Sequence, residues 1–206
     1  MKRALLLLYA AVGVERLCEL AWSRAHERRL ARAGGRRVEE RAFGWMAALH
    51  TGVLVAAPVE SWLARRRPPR ALVAAAALAL AGATALRAWA LGSLGDAWSV
   101  RVIEFPDGKR PLVTRGPYRF VRHPNYLAVI VELAALPLVG GAYATAIAAT
   151  LANAALLARR IPLEERALFA DARYREAMGA KPRFVPRVWR KRLRRDAKRT
   201  RKSGPA

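Results

Sequence analysis

Cysteine is all but missing. Cys18 is the one thiol in 206 residues, which excludes an intramolecular disulfide framework and any cysteine-cluster zinc site. Histidine is nearly as sparse: His26, His50 and His123 lie far apart in the chain, and no metal site is expected from them. Negative charge is short too, with 15 Asp and Glu against 38 Lys and Arg, a formal net charge of +23. Apolar residues are plentiful. At 54% hydrophobic and 26% charged, the chain is too oily for a disordered segment, and the two classes must be segregated along it.

That segregation is plain in the residue order. Seventeen of the 38 cationic residues follow Ala158, whereas the 26 residues from Leu133 to Ala158 carry no charge. Ala71 to Leu91 holds only Arg87, Phe43 to Leu63 only Glu60, and Ala4 to Trp22 only Glu15, Arg16 and Glu19. A basic tail by itself would suit nucleic acid. A small nucleic-acid domain has no use for the charge-free runs, whereas a membrane span of about 20 apolar residues requires them. The expected fold is all-α, a polytopic membrane bundle of about five transmembrane helices, and no nucleic-acid partner is expected. Pro137 and Gly140-Gly141 divide the longest run into a helical hairpin, 126–139 and 142–158. The first arm rises only about 21 Å at about 1.5 Å per residue, so four full crossings are the alternative.

Lys and Arg are retained on the cytoplasmic side. Seven basic residues in 23–42 and six in 92–125, together with the tail, put those segments and the C-terminus inside a bacterial inner membrane; the four arginines between 65 and 70 oppose that assignment. Met1-Lys2-Arg3 and the leucines after it imitate a signal peptide. Leu17, Leu20 and Trp22 continue the apolar pattern past any cleavage point, so an uncleaved first span is expected.

The loop before the hairpin concentrates special residues: Gly116-Pro117-Tyr118-Arg119-Phe120-Val121-Arg122-His123-Pro124-Asn125-Tyr126. Pro117 and Pro124 disfavour helix at Gly116 and His123, so a short ordered turn presents Tyr118, Arg122 and His123 at the membrane surface. An interfacial aromatic and basic belt is the plain alternative. After the hairpin comes Arg159-Arg160-Ile161-Pro162-Leu163-Glu164-Glu165, where Pro162 is placed to open a new helix with both glutamates in its first turn. The hairpin brings these two clusters to one membrane face.

On these residues the chain resembles the isoprenylcysteine carboxyl methyltransferase family of integral membrane enzymes. The likeness rests on the Gly116 to Tyr126 run, on Glu132, on Arg160 with Glu164-Glu165, and on Tyr174 and the Pro182-Arg183-Phe184 ending, and it covers roughly the C-terminal half. It implies S-adenosylmethionine as methyl donor, held by Arg110, Pro111, Leu112, Val113, Tyr118, His123, Pro124, Asn125, Tyr126 and Glu164 in a cytoplasmic-facing pocket. Arg110 and Pro111 replace the more usual polar pair there. Arg160 matches the arginine set toward the acceptor and, with His123, forms the implied catalytic pair. No Gly-x-Gly-x-x-Gly fingerprint follows a strand pattern, so the Rossmann route to the cofactor is absent. Residues 1–186 then read as one membrane methyltransferase domain with its catalytic core at about 92–186, and 187–206 as a basic cytoplasmic tail expected to be disordered.

Methyl transfer from a sulfonium is a direct displacement that needs alignment more than covalent help. Arg160 can orient a carboxylate acceptor, in which case His123 is a binding group; a phenol or enol acceptor instead calls for a base. The acceptor is expected to be lipophilic and to enter from the bilayer: a prenylcysteine carboxylate, or a hydroxyl on an alkylated polyketide or quinone-like lipid. Phospholipid amine methylation and a non-enzymatic anchor with a lipid- or nucleic-acid-binding tail are the alternatives. The ionisable residues inside spans, Glu15, Glu19, Arg87 and Glu132, are expected to pair with one another, and His50 to be a bonded core histidine.

Overall fold

The charge-poor runs fold as helices, and together they make the expected helical membrane bundle. The computed structural model describes residues 2–40, 42–65, 67–106 and 111–186. Helix α1 spans Lys2–Arg32, α2 Ala42–Leu63, α3 Arg70–Leu94, α4 Pro124–Val139, α5 Tyr143–Phe169 and α6 Ala172–Met178. Two short 3-10 turns, Gly95–Ala97 and Gly116–Arg119, lie in the connection between α3 and α4. A two-residue antiparallel pairing of β1, Arg36–Arg37, with β2, Ile103–Glu104, is the one departure from an all-helical chain among the described residues.

Three helices are long and apolar enough to cross a membrane: Ala42–Leu63, Tyr143–Phe169, and α3 carried through its 3-10 extension to Ala97. α4 is apolar but shorter, and its 16 residues rise about 24 Å against a hydrocarbon core of about 30 Å. α1 carries Glu15, Arg16 and Glu19 and is not among the three. α4 packs between α3 and α5, and α2 packs on α5.

Away from the long loops, the core is built from small and medium residues. Tyr9, Ala57, Leu80, Ala135, Leu136 and Ala142 form one buried cluster, and Tyr9 donates its hydroxyl to the Leu136 carbonyl at 3.3 Å. Small side chains let helix backbones approach, which is how packing holds helices together in lipid. Glu60, the one acid in its span, caps α5: it accepts from the Ala144 and Thr145 amides at 3.0 and 2.8 Å, satisfying donors that a helix start leaves open. Trp45 and Trp62, near opposite ends of α2, face outward as interfacial anchors do.

Two expectations are corrected. The segment from Ser23, read as loop, continues α1 as helix to Arg32, because Ala, Arg, Glu and Leu there are good helix formers. Ser23, His26 and Leu30 also turn one buried face inward. Pro162 does not open a new helix but lies inside α5. A proline costs that helix one backbone hydrogen bond, and side-chain ties on both sides hold it continuous: Leu157 and Ile161 pack on Tyr126, and Arg160 and Glu165 are both bonded to other elements.

Candidate active site

A cavity of about 480 Å³ opens where the α3–α4 connection, α4, α5 and α6 meet, and it extends down between α1 and α2. Its polar wall is a hydrogen-bonded chain. Tyr126 donates its hydroxyl to Glu164 and accepts from Arg160 Nε at 2.7 Å. The rest of the Arg160 guanidinium is engaged as well: Nη1 donates to Glu40 Oε1 at 2.9 Å and Nη2 to the Val100 carbonyl. Arg160 thereby joins α4, the α1–α2 loop and the α3–α4 connection at one point.

His123 stands beside this chain, its ring 5.4 Å from that of Tyr126. Its Nε2 lies 3.1 Å from Glu165 Oε1, and the same carboxylate accepts from Arg183 and sits 3.1 Å from Arg122 Nη2. An ionised partner assigns the proton to Nε2 and leaves the lone pair on Nδ1, the nitrogen without a protein partner among the described residues. Backbone pairing fixes the ring: the Arg122 and His123 amides both donate at 2.9 Å to Pro182 and Arg183 carbonyls.

The opposite wall is apolar. Tyr118, Leu168, Tyr174 and Met178 form one buried cluster with Ala90, and all but Ala90 line the cavity. Burial holds the Tyr118 hydroxyl far above the usual phenol range, so it stays neutral. Lys181, from the chain after α6, donates to the Tyr118 carbonyl at 2.9 Å, and desolvation lowers its pKa. Gly116, at φ 59°, starts this turn where a Cβ would fall 1.9 Å from Ser93 Oγ.

Residues 98–103 roof the cavity and are tied to the end of α1. The Val100 amide donates to Ser23 Oγ at 2.9 Å, and His26 Nδ1 lies 3.0 Å from the Trp98 carbonyl. At the mouth, Arg101 stacks its guanidinium 3.4 Å from the centroid of the Phe43 ring.

Among the residues expected from the sequence, Pro111, Val113, Tyr118, His123, Asn125, Tyr126, Arg160 and Glu164 all border this cavity. Leu112 is exposed and the Pro124 side chain is packed inside the protein; neither borders it. Arg110 and the tail 187–206 lie outside the described residues. Sequence reasoning missed Glu40 and the roof. The one signal for Glu40 was an acidic pair, Glu39-Glu40, in a loop otherwise crowded with arginine.

Comparison with known proteins agrees with this architecture. Residues 75–170, which hold the pre-α4 loop, Arg160 and both glutamates, match the isoprenylcysteine carboxyl methyltransferase (ICMT) family. The uncharacterized protein YpbQ of Bacillus subtilis (strain 168) is 33% identical over 162 residues, 79% of this chain and 95% of that protein. The solved structure of the eukaryotic intramembrane Ras methyltransferase ICMT superposes with a TM-score of 0.54 at 20% identity, over 68% of this chain and 52% of that one. This chain thus spans about half the length of that enzyme, and the likeness is one of fold. With nearly the whole of YpbQ aligned and the family match falling on the cavity's own segments, the chain belongs to the isoprenylcysteine carboxyl methyltransferase family of membrane methyltransferases.

Proposed function

We propose that the protein is an S-adenosylmethionine-dependent O-methyltransferase acting on a hydroxyl of a lipophilic acceptor. The observation that carries this reading is the Tyr126–Arg160–Glu164 chain at the head of a cavity whose far part runs between membrane helices. The residues fit the donor. Tyr118, Leu168, Tyr174 and Met178 offer an apolar slot for a purine, and Glu164 is a carboxylate acceptor for sugar hydroxyls. Asn125 Oδ1 is enclosed without a hydrogen-bond partner among the described residues and would accept from an amino group. When bound, S-adenosylmethionine supplies a sulfonium methyl to direct displacement by the acceptor oxygen. The protein's part is to align, exclude water and manage the proton.

The engagement of Arg160 favours a hydroxyl over a carboxylate. Bidentate capture of a carboxylate is favoured by a guanidinium without a counterion, and here three of the five N–H groups already donate, one of them to the Glu40 carboxylate that offsets the charge. A hydroxyl must lose a proton as it is methylated, and the role of base falls to His123 through its unbonded Nδ1, with Glu165 at Nε2 steadying the imidazolium that forms. The catalytic role accordingly goes to His123, Arg160 acts as a positioning residue through Tyr126 and the Val100 carbonyl, and donor binding goes to Tyr118, Asn125, Tyr126 and Glu164. The arginine-rich loops beside the cavity support a cytoplasmic mouth in a bacterial inner membrane.

Calorimetry of the purified protein in detergent should detect S-adenosylhomocysteine binding that weakens in Glu164→Ala. Labelled-methyl transfer should then favour a long-chain phenol over an N-acylated S-prenylcysteine. Absence of S-adenosylhomocysteine binding would sink the enzyme reading, and preference for the prenylcysteine would return the acceptor to a carboxylate.

A further inference from the structure

The inner end of the cavity is not the plain hydrocarbon slot that an aliphatic tail would need. Arg16 and Glu19 of α1, Arg87 of α3 and His50 of α2 all line it. Arg87 clasps Glu19 with Nε at 2.6 Å and Nη2 at 2.5 Å; Arg16 lies 2.9 Å from Glu19 and 3.3 Å from Glu132 of α4. These four side chains are between 7% and 14% exposed. The expected pairing of intramembrane charges is therefore present, yet it is incomplete. Arg16 Nε is buried with no hydrogen-bond partner among the described residues, and Arg87 Nη1 makes none either, its nearest acid being Glu132 Oε2 at 3.5 Å. Each is an N–H donor, and a buried donor left open costs about 1–3 kcal/mol.

The depth of this floor can be read from two helices. Arg160 bonds the Val100 carbonyl, and the Val100 amide bonds Ser23, so Ser23 marks the level of the reactive end on α1. From there to Arg16, α1 descends about 10 Å at about 1.5 Å per residue. On α4, Tyr126 to Glu132 is a descent of about 9 Å by the same rise.

We propose that this floor is a second recognition site. It takes a neutral hydrogen-bond-accepting oxygen, a carbonyl or ether, borne in the body of the acceptor about 10 Å from the oxygen that receives the methyl. The open groups on the two arginines are donors, so the ligand atom they take is an acceptor. Two arginines already face two glutamates, with Glu15 3.2 Å from Arg16, so no net positive charge is left for an anion. The walls above the floor, Leu17, Leu20, Met46 and Leu54, suit an aliphatic link between the two oxygens. This narrows the acceptor class of the proposed methyltransferase and rests on that reading.

The test is binding of para-alkylphenols of one chain length to the full protein in detergent, with and without a ketone placed at successive chain positions. Affinity should peak, about tenfold above the ketone-free phenol, when the ketone lies about 10 Å from the phenol oxygen. The paired replacement Glu19→Leu with Arg87→Met removes both charges together and should flatten that peak while leaving S-adenosylhomocysteine affinity unchanged. A flat series in the native protein, or a peak that survives the paired replacement, overturns the proposal and leaves the quartet a helix clamp. If the replacement does not fold, the native series alone decides. Because the series reads binding, lost S-adenosylhomocysteine affinity would sink the methyltransferase reading separately, whereas a flat series with normal cofactor binding would sink only this one.

Discussion

Glu40 holds Arg160 Nη1 at 2.9 Å with a side chain only 1% exposed, so the cation at the head of the cavity has a buried counterion from a different part of the chain. Removing one partner of such a pair leaves the other charge unpaired, at a cost of about 3–5 kcal/mol. Glu40→Leu should therefore lower the thermal midpoint in detergent sharply and abolish methyl transfer. Glu40→Gln, which keeps an oxygen for Nη1 but not the charge, should lose nearly as much of both; a much smaller loss would mean that the hydrogen bond, and not the charge, is what Glu40 contributes.

The adjacent glutamates should separate cleanly. Glu164 accepts from Tyr126 at the cavity wall, while Glu165 binds His123 and Arg183. Glu164→Gln should weaken S-adenosylhomocysteine binding by about tenfold or more, as expected for a hydrogen bond to a charged group. Glu165→Gln should leave that affinity nearly intact and cut single-turnover methylation of a phenol about a hundredfold, the low end of what general-base catalysis supplies, because His123 loses the carboxylate that steadies its imidazolium. Calorimetry and rapid quench on both variants distinguish the two roles.

Gly116→Ala tests the turn that presents Tyr118. The left-handed φ and the overlap with Ser93 act together, so a loss of about 2 kcal/mol or more is expected. Gly116→Ala combined with Ser93→Gly relieves the overlap and should recover only part of the thermal midpoint, the remainder being the backbone cost.

Asp171 caps α6, accepting from the Arg173 amide at 2.9 Å. The hydrogen bond from the Arg173 side chain holds its carboxyl below the usual aspartate range. A depressed folded-state pKa stabilises above the unfolded value of about 3.9, and that contribution is lost as pH falls through the folded value. Asp171→Ala should cost about 1 kcal/mol at pH 7, chiefly the cap because Arg173 is exposed. The difference in thermal midpoint from the native protein should shrink on going to pH 3. Since α6 carries Tyr174 and Met178, S-adenosylhomocysteine affinity should fall with it.

What could be read in advance divides along physical lines. α2, α3 and α5 are legible because a run long enough to span, with at most one charge as in α2 and α3, needs no partner to declare itself. The extension of α1 past Ser23 was hidden by its charges, which mark a loop until the buried face of His26 and Leu30 is seen. At the site, Tyr126, His123, Arg160 and Glu164 lie in local motifs and were found. Glu40 was not, because its partner is remote in the chain and an acidic pair amid arginines does not say which arginine it meets. Of two neighbouring glutamates, which one faces the cavity depends on about 100° of helix rotation, and only packing sets that phase.

The length of α1 carries one more consequence. Its 31 residues rise about 46 Å, well beyond a hydrocarbon core of about 30 Å, and the roof of the cavity is lashed to the part near Ser23 and His26. A helix whose apolar stretch, here 4–22 at about 28 Å, no longer matches the bilayer answers a change in membrane thickness by tilting. In this protein such a tilt would pull on the ceiling over the reacting atoms, so turnover in nanodiscs of graded acyl length would report bilayer thickness as well as chemistry.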